Sequence, residues 1–287
     1  MRTASPASLV RDAHTSVRRS SLRRQLQGIV DGKTDASGLD LDDARLDAAA
    51  VIENMTRKRS MQSSTVQRLV VAFKSSGVAD DVVERLAARS PQQRVQSARI
   101  VGALRIYEAV PWVAGLLESR DRSVSDAAAR ALGRIGGASS ARALVKAINR
   151  KGLNRRLVAE LARAAPDLFV ETALGEPQPQ SVRPALAIAA GLRRRRAAIG
   201  PLIGLLQTGS RRERVISCRA LGWIRATTAA PLLADALLDR DWKIRMSAAK
   251  ALGALRARSA RDDLKYLRID RNARVRKAAE YALGRLG

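Results

Sequence analysis

One histidine, His14, one cysteine, Cys218, and three adjacent acid pairs, Asp42 with Asp43, Asp80 with Asp81 and Asp262 with Asp263, are the residues from which an active site would be assembled. General acid–base catalysis needs a group that titrates near neutrality, held within hydrogen-bond reach of the reacting proton. His14 lies in MRTASPASLVRDAHTSVRRSSLRRQLQGIV, an Arg- and Ser-rich stretch that reads as a mobile basic arm followed by a short helix, so it has no rigid partner. A single Cys and a single His leave too few ligands for the usual zinc sites. The lone Cys218 permits no intrachain disulfide, and its apolar surroundings make it a small buried hydrophobe. The acid pairs fall where helices are predicted to begin, a favourable place for carboxylates without any catalytic purpose. No Gly-rich phosphate loop is present. The sequence therefore predicts no catalytic residue, no cofactor and no metal.

Anion binding is the chemistry these residue types do favour. Basic residues number 53 against 27 acidic, a formal net charge of +26. The excess is uneven: +3 over residues 1–62, +7 over 63–180 and +16 over 181–287. Forty-four of the cations are arginines, whose planar fork matches phosphate and carboxylate. A GC-rich genome would also favour Arg over Lys, but it does not set the net sign. Two rows and one cluster organise the charge. Arg94, Arg183, Arg214, Arg245 and Arg276 form one row, the last four 31 residues apart. Arg99, Arg130, Arg219 and Lys250 form a second. The densest run is Arg193, Arg194, Arg195 and Arg196, with Arg211 and Arg212 following. Four successive like charges repel one another, a cost that a bound anion offsets. Of the three tryptophans, Trp112, Trp223 and Trp242 occupy different places in the pattern, and Trp242 is the candidate exposed anchor.

These side chains need a scaffold, and internal repetition identifies it. Gly102, Gly133, Gly191, Gly222, Gly253 and Gly284 are separated by 31, 58, 31, 31 and 31 residues, with Ala162 standing in the middle of the long gap. A helix begins about nine residues before each marker, as in VSDAAARALG, IRMSAAKALG and VRKAAEYALG, and small residues cover one face. A short connection and another helix follow, with Pro111, Pro201 and Pro231 near its start, where a missing N–H does little harm. The marker glycines are expected to serve as helix caps or to allow tight contact. Aromatics are only 3% of the chain, so the core is built from Ala, Leu, Val and Ile. The organisation predicted is a basic arm, acidic loop and short helix over 1–62, a capping helix over 63–79, and repeats over 80–287.

DWKIRMSAAKALGAL (241–255) resembles the HEAT-repeat family, in particular the short bacterial HEAT-like repeats also found in phycobilisome bilin lyases. The resemblance implies an all-α fold, a right-handed α-solenoid of about seven HEAT-like hairpins with an N-terminal helical extension. It also implies that the second helices line the concave face, so that Arg99, Arg130, Arg219 and Lys250 make a basic inner groove. In such repeats the first arginine row commonly pairs with an Asp three or four residues earlier. Asp241 precedes Arg245, but Pro179, Ser210 and Asn272 stand at that place before Arg183, Arg214 and Arg276; Asp270 or Glu213 could substitute for the missing acids, and at least two of those arginines are expected to be free for an anion.

The function that follows is a non-catalytic binding scaffold whose basic C-terminal repeats hold an acidic macromolecule, foremost a nucleic acid gripped by its phosphates. Scarce aromatics favour duplex or structured RNA over stacked single strands. A protein–protein adaptor at an anionic membrane surface, reached through the N-terminal arm, is the alternative. A bilin lyase-like or DNA glycosylase-like enzyme ranks below both. With no apolar run of about 18 residues, the expected location is cytoplasmic, with peripheral membrane association open.

Overall fold

A computed structural model describes residues 6–39, 41, 48–57 and 63–287. Among these residues the chain is all-α, with seventeen helices, short 3-10 turns and no strand, the helical-solenoid class that the repeat predicts. It divides into two compact units, residues 1–140 and 141–287. No described helix is long and apolar enough to cross a membrane.

The first unit begins with α1 (Pro6–Val30), α2 (Ala48–Thr56) and α3 (Ser64–Ser75). Where the sequence suggests a mobile arm and a short helix, a single 25-residue helix runs from Pro6. Leu22, Leu26 and Ile29 of α1 are buried, and Arg68 Nη1 on α3 donates to the Val30 carbonyl at 2.6 Å. Apolar residues spaced three and four apart fix one face of α1 against the neighbouring helices. The side chains of His14, Asp42 and Asp43 lie outside the described residues. Two hairpins follow, α4 (Val78–Glu84) with α5 (Pro91–Leu104), and α6 (Val110–Leu116) with α7 (Arg122–Ile135).

The second unit opens within the first turn of α8 (Gly137–Lys151), which is followed by α9 (Arg155–Ala164). Then come α10 (Asp167–Gly175) with α11 (Val182–Leu192), and α12 (Ile199–Thr208) with α13 (Arg211–Ile224). The last hairpins are α14 (Ala230–Asp235) with α15 (Trp242–Leu255), and α16 (Arg261–Tyr266) with α17 (Ala273–Leu286). Asp80 and Asp81 lie in the first turn of α4, and Asp262 and Asp263 in that of α16, as the helix-start reading requires.

Five of the seven second helices begin on side-chain caps. Asp121, Asn154, Asp241 and Asn272 each accept a hydrogen bond from a backbone N–H in the following turn. Ser210 forms a reciprocal capping box with Glu213. Between repeats the marker glycines act through close approach. A Cβ on Gly222 would stand 2.9 Å from Ala251 Cα, and one on Gly253 2.8 Å from Ala282 Cα. Consecutive second helices therefore stack at a separation that only glycine facing alanine allows. Capping happens three residues further on, and in four repeats an arginine does it. Arg105, Arg194, Arg225 and Arg256 have φ between 52° and 60°, in the left-handed region that favours glycine.

Candidate anion-binding groove

In the first arginine row Arg183, Arg214 and Arg245 form a structural clamp, which corrects the expectation that Arg183 and Arg214 are free to meet an anion, while Arg276 bonds backbone carbonyls and meets no carboxylate among the described residues. The partner acids come from the next repeat, not the preceding turn. Arg245 reaches Asp270 through two parallel bonds, Nε to Oδ2 at 2.7 Å and Nη2 to Oδ1 at 2.9 Å, and also donates to the Asp239 carbonyl. Arg214 pairs with Asp239 at 2.5 Å and donates to the Leu206 carbonyl. Arg183 contacts Glu213 at 3.4 Å and the Glu176 carbonyl at 3.0 Å. Arg276 donates to the carbonyl of Asp270 at 2.8 Å. The hydrogen bonds from Arg245 hold the Asp270 carboxyl below its ordinary range, and the same bonds raise the arginine. Burial pushes Glu213 up, but its bonds from Ser210 and the charge of Arg183 outweigh this and lower it.

The Arg193–Arg196 cluster is split by the turn it occupies. Arg195 is mostly buried, pairs with Asp167 and donates to the carbonyls of Ala162 and Ala165, so it is a clamp rather than a binding residue. Arg193 and Arg196 are exposed. Arg194, left-handed and exposed, belongs to a groove described next. Arg211 is tied to Asp241, whose carboxyl it lowers, while Arg212 is exposed.

A groove of ≈ 1230 Å³ runs across α11, α13, α15 and α17 in the second unit. Its walls follow the 31-residue register. Arg219 and Lys250 of the second row occupy equivalent positions on α13 and α15, and Tyr281 takes the same position on α17. One turn towards the helix start stand Met246 and Lys277, and a further turn back Lys243 and Arg274. One turn the other way, Trp223 and Arg285 share a column, and Arg194 and Arg225 close the groove from the helix ends. Eight cations line it and no carboxylate does. None of the eight is ion-paired among the described residues, in contrast to the clamp arginines. Rows four residues apart on an α-helix share one face, which explains the single stripe.

Aromatic rings are interleaved with these cations. Arg219 lies over Trp223 at 5.1 Å from the ring centroid, Arg274 and Lys243 over Trp242 at 5.4 and 5.6 Å, and Arg285 over Tyr281 at 5.7 Å. Trp242 is thus in the groove, joined by Trp223 and Tyr281, which the sequence reading does not select. Trp223 is 36% exposed and Tyr281 56%. Trp112 is exposed on α6 of the first unit.

The second row is treated differently in the first unit. Glu53 on α2 accepts from Arg99 at 2.7 Å and pairs with Arg134. Burial pushes the Glu53 carboxyl up, but these two arginines overcome it and hold the group below its ordinary range. Arg130 is exposed. An internal carboxylate therefore neutralises part of this stripe in the first unit, whereas the stripe of the second unit has none.

Burial pushes the Cys218 thiol up to about 12, so it is no nucleophile at neutral pH. Among the described residues no three His, Cys, Asp or Glu side chains are grouped to hold a metal ion.

The family profile described as HEAT repeats matches residues 79–164 and 202–284. No curated protein sequence matches the chain. Among solved structures, human deoxyhypusine hydroxylase in complex with glycerol is similar at 18% identity over 95% of this chain and 98% of that one, with a TM-score of 0.38. An engineered protein is similar at 19% identity over 92% of this chain and 84% of its own, with a TM-score of 0.39.

Proposed function

This chain belongs to the HEAT-repeat family, and we propose that it is a non-catalytic binding scaffold whose second unit grips the phosphate backbone of a nucleic acid. The observation that carries this reading is the groove with eight lining cations and no lining acid. Elsewhere in the same unit Arg183, Arg214 and Arg245 each meet a carboxylate of the next repeat, whereas the eight cations of the groove converge with no acid among them. Unpaired like charges facing one another raise the free energy of the unbound protein, and a polyanion that displaces their counterions relieves it.

The dimensions agree. Three steps between four stacked helices, at about 8–10 Å each, span roughly 24–30 Å, enough for several consecutive phosphates of one strand. An acidic protein segment would be spaced less regularly and would leave several cations unmatched.

The test is binding of fluorescent DNA and RNA, single-stranded and duplex, by the wild-type chain and by a Lys243→Glu/Lys250→Glu/Lys277→Glu variant. These three side chains are exposed and unpaired, so the fold tolerates the change. Micromolar or tighter binding at physiological salt that the variant abolishes supports the proposal. Binding that is absent in both proteins, or equal in both, overturns it.

A further inference from the structure

We infer that the groove holds unpaired nucleotides, with bases stacked against Trp223, Trp242 and Tyr281 while the phosphates meet the surrounding cations. This rests on the nucleic-acid reading above and narrows it. Phosphate attraction alone explains the basic residues but not the rings among them. Only 3% of this chain is aromatic, yet three of its rings converge in this one groove. Each carries a cation over one face or edge: Arg219 on Trp223, Arg274 on Trp242 and Arg285 on Tyr281. Arg285 also donates to the Tyr281 hydroxyl at 3.1 Å. Such pairs fix the ring planes and hold guanidinium groups beside them, which preorganises alternating sites for a base and for a phosphate.

A duplex makes poor use of this arrangement. Its bases are stacked on one another and its phosphates lie on the outside of a cylinder, so rings on a groove floor would meet sugar and phosphate. A cleft of ≈ 1230 Å³ is only somewhat larger than the ~300–1,000 Å³ of small-molecule sites and suits a few splayed nucleotides. Trp223 and Tyr281 keep 36% and 56% of their surface exposed while sitting inside the groove, as stacking platforms require. The rings select for nucleobases over the side chains of an acidic peptide, since every base offers a flat π-face.

The experiment compares four probes of matched charge on the full chain: a ten-nucleotide oligothymidylate, an abasic oligonucleotide of the same length, a duplex, and poly-glutamate. Affinity is read by anisotropy competition, and quenching of tryptophan fluorescence reports base contact. The expected result is at least tenfold tighter binding of oligothymidylate than of the abasic chain or the duplex, with quenching by oligothymidylate alone. Tyr281→Ala and Trp242→Ala should each weaken oligothymidylate by about 5- to 150-fold, the worth of one base–aromatic stack, and the abasic chain far less. Lys250→Gln should weaken both probes alike, and circular dichroism should show all three variants folded.

Equal binding of oligothymidylate, abasic chain and duplex, all weakened by Lys250→Gln and none by Tyr281→Ala, would overturn the base-stacking inference while leaving the phosphate reading in place. Poly-glutamate binding as tightly as the oligonucleotides, or no binding by any probe, would overturn both.

Discussion

Arg225 sits where a helix ends and would ordinarily be replaced by glycine, which makes it a test of whether the groove is maintained at the expense of stability. Its backbone is left-handed, φ 60° and ψ 47°, and its N–H closes the last turn of α13 on the carbonyls of Leu221 and Gly222. Its side chain is exposed and lines the groove. A non-glycine residue in this conformation costs ~1–2 kcal/mol, and glycine returns part of that gain through greater freedom when unfolded, leaving a net stabilisation of about 0.5–1 kcal/mol for Arg225→Gly. For a chain of this size that raises the melting temperature by roughly 1–4 °C. Loss of one phosphate contact should lower the salt dependence of binding by about 0.7 in log–log slope. Arg256 supplies the control, because its φ of 54° and ψ of 42° are nearly the same but it does not line the groove. Arg256→Gly should therefore stabilise equally and leave binding largely intact. Calorimetry with oligonucleotide titration decides the matter. If Arg225→Gly destabilises the protein, or stabilises it without weakening binding, the reasoning is refuted.

Three further outcomes follow from the packing. Arg245→Ala strands Asp270, whose side chain is only 9% exposed, and should cost about 3–5 kcal/mol in urea denaturation at pH 7. Because Arg245 lowers the Asp270 carboxyl, that stabilisation is fully present above the ordinary aspartate value of 3.8 and is lost as pH falls through the lowered one, so the gap between wild type and variant should close in acid. Gly253→Ala places a Cβ 2.8 Å from the Ala282 backbone and should destabilise by about 1–3 kcal/mol despite better helix propensity, whereas Gly284→Ala, with nothing within 4 Å, should stabilise by up to about 1 kcal/mol. Cys218, with its thiol at about 12, should resist a thiol reagent at pH 8 in the native protein and react at once in denaturant; prompt native labelling would contradict its burial.

The fold is legible because glycine and alanine recur at 31 residues in most of the second helices, with Ala162 standing in for glycine in the exception, and that constraint is written directly into residue type. Arg219 and Lys250 were legible as a stripe for the same reason. The clamp is less legible, because its acids lie in the next repeat rather than one turn back: Asp270 is 25 residues beyond Arg245 and Glu213 is 30 beyond Arg183. Stacked repeats bring positions about one period apart into contact, so the partner belongs to the next repeat. Arg195 was grouped with its exposed neighbours because a run of like residues does not reveal which one the turn folds inward. The same register would have found the rest of the groove. Lys243 with Arg274, and Tyr281 with Lys250, are each 31 apart, and Trp223 with Arg285 is two periods apart. Columns four residues apart then fall on one helix face. The left-handed arginines had no such signal, since their conformation opposes the preference of the residue.

The most direct test of the central claim is the salt dependence of oligonucleotide binding by the wild-type chain and by Arg219→Gln/Lys250→Gln/Lys277→Gln. With eight cations lining the groove, the wild-type slope of log K against log salt should approach about −5 to −6 for a single strand, and removing three contacts should reduce its magnitude by roughly 2. An unchanged slope in the variant would contradict the account and place the binding charge elsewhere.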